Sequence, residues 1–125
     1  MSSDNLLTHL VFDIDDTLYP VTNGFTIHRN QDVACAYMIE KCGFKDLPAA
    51  RAFRNEYFEK YHSTVKALTV ASEEGALPKN EDGSDRKFDA ADLANYWVEG
   101  CKFKEHIEVN PLLIEAIKSL KEVRR

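Results

Sequence analysis

Asp13 and Asp15, two carboxylates one residue apart at the end of the apolar run Leu10-Val11-Phe12, are the groups in this chain best arranged to do chemistry. A short apolar run that breaks into charge fits a strand buried on both faces of a parallel sheet, its carboxyl end opening into a loop. Ligand sites of open α/β sheets lie at such ends. Asp13 is therefore expected at the mouth of a site, with Asp15 directed into the same space from a turning segment. Two carboxylates this close do not coexist as anions without a cation between them, unless one keeps its proton. With Mg2+ as that cation, Asp13 and Asp15 are the candidate ligands. Asp13 is also a candidate nucleophile and Asp15 a candidate proton donor to a leaving group. Backbone N–H groups of the turn from Ile14 to Thr17 are expected to face a multi-oxygen anion, phosphate above all, which makes Thr17 a substrate-binding candidate.

The spacing Asp13, Asp15, Thr17 also opens an EF-hand calcium loop, but that loop needs Gly at its sixth place and Glu at its twelfth. Leu18 and Gly24 stand there, so the calcium reading fails. Asp16 reads as a turn-forming acid, bonded near the turn, and not as a third catalytic group.

The segment Leu10-Val11-Phe12-Asp13-Ile14-Asp15-Asp16-Thr17-Leu18 resembles the first motif of the haloacid dehalogenase-like (HAD) hydrolases in its phosphatase form. Dehalogenases of that superfamily lack the second acid, because a halide leaving group needs no proton, so Asp15 points to phosphate ester hydrolysis. Tyr57-Phe58-Glu59-Lys60-Tyr61-His62-Ser63-Thr64-Val65-Lys66-Ala67-Leu68 and Glu108-Val109-Asn110-Pro111-Leu112-Leu113 are similar to segments of the pyrimidine 5'-nucleotidase-like branch. The resemblance implies an α/β Rossmannoid core, incomplete here, interrupted just after the first motif by an inserted helical cap that excludes water and selects substrates. Residues 1–23 and 109–125 are then the partial catalytic core and 24–108 the cap. It also implies that His62 and Thr64, in the polar interruption His62-Ser63-Thr64, face the substrate.

Composition narrows the partners. A net charge of −5 over 125 residues leaves no basic stripe to replace phosphate counterions, so a nucleic-acid polymer is not expected as partner. The basic cluster Lys118 to Arg125 lies where a helix end favours cations anyway. Cys35, Cys42 and Cys101 form no C-x-x-C pair and read as small buried apolar residues. No apolar run is long enough to span a bilayer, and Met1 to Asn5 carries no basic flank before an apolar core. A soluble cytoplasmic protein acting on a small phosphorylated metabolite is the expectation.

Helical spacing then accounts for most of the chain. Pro20 to Gly24 is turn chemistry. Ile27, Ala34, Tyr37, Met38 and Cys42 mark a helix from about Thr26, with Gly43 as its stop. Asp46-Leu47-Pro48 opens a second helix bearing Ala50, Phe53, Tyr57 and Tyr61 on one face. Ser63 to Ser72 forms a third. Ala76 to Lys87, with Pro78, Gly83 and the charged residues Lys79, Glu81, Asp82, Asp85 and Arg86, reads as an exposed, mobile loop. Asp89 starts the helix that carries Leu93, Tyr96 and Trp97, and Asn110-Pro111 starts the last one, with Leu113, Ile117 and Leu120 on one face.

The family's second motif, a Ser or Thr, its third, a Lys, and its fourth, an acidic pair, find no place before Arg125. Lys118 and Lys121 sit on a helix flank and do not substitute. The expectation is that these 125 residues alone turn over poorly or not at all. The rival expectation is a catalytically inert, cap-like helical module that binds a protein partner through its aromatic faces.

Overall fold

The computed structural model describes residues 8–122; Met1 to Asn5 and the end of the basic cluster, 123–125, lie outside them. The chain is helix-dominated, with 63% of these residues helical. It divides into two units, Ile27–Phe103 on one hand and, on the other, the described residues up to Thr26 together with those from Lys104 onward.

Ile27–Phe103 holds the hydrophobic core. Helix α1 (Phe25–Ile27) runs into a π-helix at His28–Val33 and then into α2 (Ala34–Cys42). In the π segment the Arg29 carbonyl accepts the Ala34 amide, five residues on, and also the indole N–H of Trp97 at 3.1 Å. Helix α2 stops where the periodicity requires, at Gly43, whose φ of +78° is costly for any residue with a Cβ. Helix α3 (Leu47–Tyr61) starts on Asp46, whose carboxylate accepts the Ala49 amide at 2.9 Å, and α4 (Thr64–Glu73) starts on Ser63. Helix α5 (Ala90–Gly100) starts on Asp89 in the same way.

The helical spacing of apolar residues in α2, α3, α4 and α5 brings Met38, Ala50, Leu68, Ala71 and Leu93 into one cluster without measurable exposure beyond 1%. Tyr37 meets Phe88 and Tyr96 edge-on, at 6.2 and 5.4 Å between ring centroids. Phe44, Phe53, Tyr57 and Tyr61 follow one another in ring contact, so the aromatic stripe is core packing. All three cysteines are buried free thiols.

The segment 76–87 is exposed at Glu81–Asp85, as its composition implies, but it is fastened at both ends. Leu77 is buried in the core, and Arg86 donates to the Pro78 carbonyl at 3.2 Å and to the Lys41 carbonyl at 3.3 Å. The second bond satisfies an orphan acceptor of the last turn of α2. Composition has no means of revealing that a loop arginine caps a helix 45 residues away.

In the other unit, Val21–Asn23 forms a 3-10 turn that ends on Gly24, and Asn23 Oδ1 accepts the Phe25 amide at 2.8 Å. Phe25 is buried between Tyr19 and His106. Helix α6 (Phe103–His106) precedes α7 (Pro111–Glu122), where Asn110 Oδ1 accepts the Leu113 amide at 3.2 Å. The expected strand is absent: residues 8–14 form no regular element, and no strand occurs among the described residues. Strand geometry is held by ladder bonds to a neighbour, and without one Leu10 and Val11 stand 53% and 96% exposed. The apolar spacing of the last helix likewise leaves Leu112, Ile114, Ile117 and Leu120 exposed.

Candidate functional site

The acidic segment folds as a tight turn over Asp15–Leu18. The Ile14 carbonyl accepts the amides of Thr17 at 3.3 Å and Leu18 at 3.0 Å, and Asp16 takes a left-handed φ of 60°. Asp is one of the few side chains that tolerates this region. Of the amides from Ile14 to Thr17 expected to face an anion, that of Thr17 is therefore bonded within the turn itself.

The three acids have different surroundings. Asp13 is exposed, and its carboxylate forms no side-chain hydrogen bond or ion pair among the described residues. Asp15 is half-buried and accepts a hydrogen bond from the Tyr19 hydroxyl. Asp16 accepts the Thr26 hydroxyl at 2.8 Å, as a turn-forming acid should. Thr17 is exposed on the same turn.

Tyr19, Asn23, Glu105, His106, Glu108 and Asn110 line an open groove of about 460 Å³. Asp13 and Asp15 do not line it; Asp15 is connected to it through Tyr19. Reading the sequence for acids alone misses both Tyr19 and the groove. The available signal was a tyrosine four residues beyond Asp15, which a single turn brings back onto the acid.

His62 and Thr64 belong to Ile27–Phe103. His62 ends α3 in a left-handed conformation, donates its amide to the Phe58 carbonyl at 2.8 Å, and sets its exposed ring edge-on to Phe58. Thr64 is buried, 4% exposed, and its hydroxyl accepts from Arg54. Neighbours in sequence, these two point to different environments, one solvent and one core.

Among the described residues no three His, Cys, Asp or Glu side chains gather into a metal cage. Mg2+ does not require one, since it keeps several waters and binds through one or two carboxylates together with substrate phosphate. Asp13 and Asp15 supply hard oxygen donors of the right kind. No helix among the described residues is long and apolar enough to cross a membrane.

The fold and site together define a helix-dominated chain that carries an acidic turn joined through Tyr19 to an open groove. No protein-family model, no curated protein and no solved structure matches the chain.

Proposed function

We propose that this chain carries the nucleophile-bearing turn and the helical cap of a Mg2+-dependent phosphomonoester hydrolase of the HAD-like type. The observation that carries the reading is the unequal treatment of two acids one residue apart: Asp13 is exposed, while Asp15 is tethered by Tyr19. A nucleophile must be reachable, and a proton carrier must be held in a fixed orientation. In this reading 1–23 and 109–125 belong to an α/β core and 24–108 to the cap. Leu10, Val11, Phe12 and Ile14 are exposed apolar side chains for such a core to cover.

A carboxylate oxygen of Asp13 attacks phosphorus as the bond from phosphorus to the leaving oxygen breaks, and Asp15 gives its proton to that oxygen. The product alcohol departs and Asp13 is left as an aspartyl-phosphate. Asp15, now a carboxylate, takes a proton from water as the water oxygen attacks the same phosphorus. Phosphate leaves and Asp13 is restored. Asp13 and Asp15 would hold Mg2+, which when bound would neutralise charge on the phosphoryl oxygens. Thr17, beside the acids, and His62 of the cap are the substrate-contact candidates that remain, since Thr64 is buried with its hydroxyl bonded to Arg54. The resemblance to the pyrimidine 5'-nucleotidase-like branch proposes a nucleoside 5'-monophosphate as substrate.

A second reading has its own support. The exposed apolar side chains Leu112, Ile114, Ile117 and Leu120 of α7 suit a catalytically inert helical module that binds a protein partner. Mg2+-dependent phosphate release from p-nitrophenyl phosphate, with Asp13→Asn as control, separates the two. Slow release lost in the variant is the hydrolase result. Release no faster than the variant carries the inert module.

A further inference from the structure

We propose that Tyr19 is the positioning residue for Asp15, holding its carboxylate in one orientation through a hydroxyl that is itself fixed by packing on Phe25. The inference rests on the hydrolase reading above and names a part of the same site. The bond from the Leu18 amide to the Ile14 carbonyl, 3.0 Å long, closes one tight turn and returns residue 19 to the side of residue 15. There the Tyr19 hydroxyl donates to Asp15 Oδ1.

A hydroxyl on a free ring would orient nothing, but this ring is anchored. It meets Phe25 edge-on, 5.8 Å between centroids at an interplanar angle of 89°, and Phe25 is 3% exposed. Phe25 in turn is held at its amide by Asn23 and packs against His106. A second tie, from Thr26 to Asp16 at 2.8 Å, fastens the adjacent residue of the turn to the same stretch of chain. The acid is thus oriented from outside its own turn, and the anchor adjoins the groove that Tyr19 and His106 line. Among the described residues Asp13 receives no such tie, so the constraint falls on the residue assigned to move protons and spares the one assigned to attack.

The test uses Tyr19→Phe, which keeps the ring on Phe25 and removes only the hydroxyl. kcat/KM, which covers steps up to leaving-group departure, is measured with p-nitrophenyl phosphate and with a simple alkyl phosphate in Mg2+. A nitrophenolate leaves without a proton; an alkoxide does not. The expected result is a loss of roughly tenfold or more with the alkyl ester and little change with the aryl ester. Equal loss with both, or no loss with either, overturns the proposal.

A turnover-free measurement accompanies it. Thermal midpoints of Tyr19→Phe, Asp15→Ala and the double variant, without metal or substrate, are expected to be non-additive, and additive shifts overturn the proposal. A wild-type chain that releases no phosphate from any ester carries the inert-module reading for these 125 residues, and this inference falls with it. An active wild type with additive shifts removes the inference alone.

Discussion

Nε and Nη2 of Arg54 both donate to the hydroxyl of Thr64, each at 3.4 Å, while the guanidinium carbon stands 4.3 Å from the ring centroid of Phe58. Arg54 is 5% exposed, and its remaining bond, Nη1 to Asn55 at 3.3 Å, also goes to a neutral oxygen. Charge-assisted bonds are usually about 2.7–2.9 Å. Here a buried cation is held by long contacts to neutral acceptors, with no carboxylate paired to it among the described residues, and burial lowers its pKa from the usual guanidinium value.

Thr64→Val is expected to destabilise the protein by about 1–3 kcal/mol, because it removes the acceptor shared by two guanidinium nitrogens. Arg54→Met, which removes the buried charge and keeps the apolar stem, is expected to be close to neutral or stabilising. Urea unfolding at neutral pH reads both. A Thr64→Val protein as stable as the wild type would show that Arg54 finds its solvation elsewhere.

Gly43→Ala and Gly83→Ala separate backbone strain from crowding. Both glycines have positive φ, 78° and 83°, so a Cβ at either costs about 1–2 kcal/mol. At Gly83 the new atom meets nothing within 4 Å, but at Gly43 it comes 2.8 Å from Nη2 of Arg86. The Gly43 variant is therefore expected to lose more stability, the excess measuring the displacement of Arg86 from the end of α2. Equal losses in thermal unfolding would remove that capping role.

His62→Gly is expected to raise stability by about 0.5–1 kcal/mol, since His62 occupies a left-handed position, φ 52°, that glycine adopts without strain. The measurement is the chemical unfolding midpoint. A clear loss instead would mean that its edge contact with Phe58 outweighs the backbone term.

Alkali should weaken the fold. Burial pushes the Cys42 thiol up from 9.0 to about 11, and burial also raises Tyr37, Cys35 and Cys101. The native state keeps these protons after the unfolded chain has released them. Their contribution is fully present below the unfolded pKa and is lost as pH rises through the folded one. For Cys42 that window runs from about pH 9 to 11. Unfolding free energy should fall there by at most about 1.4 kcal/mol per pH unit for this group. Cys42→Ala should flatten the slope, and an unchanged slope would assign it to the other groups.

The starts of the helices were legible because their causes are local. Asp46, Ser63, Asp89 and Asn110 each accept an amide two or three residues ahead, an interaction complete within one turn of chain. Gly43 and the apolar spacing of α2 through α5 belong to the same class. The π segment at His28–Val33 was not legible, and neither was the role of Arg86. In the first, Trp97 reaches the Arg29 carbonyl from 68 positions away, and in the second a loop residue satisfies a distant helix end. Leu10 to Asp13 failed as a strand for a related reason: its pattern suits a buried strand, but alternation and apolar run length contain no hydrogen-bonding partner.

By itself the sequence determined the starts of α3, α4, α5 and α7, the stop of α2, the apolar spacing of these helices, and which acids are separated by a single residue. These follow from steric and hydrogen-bonding rules that act over a few residues. Only the tertiary structure decided that Arg54 and Thr64 are buried together, that Leu10 and Val11 are exposed, and that Tyr19 bonds Asp15 from a ring held by Phe25. Burial and orientation depend on what the folded chain brings against each side chain, and that is a property of the packing, not of the local order of residues.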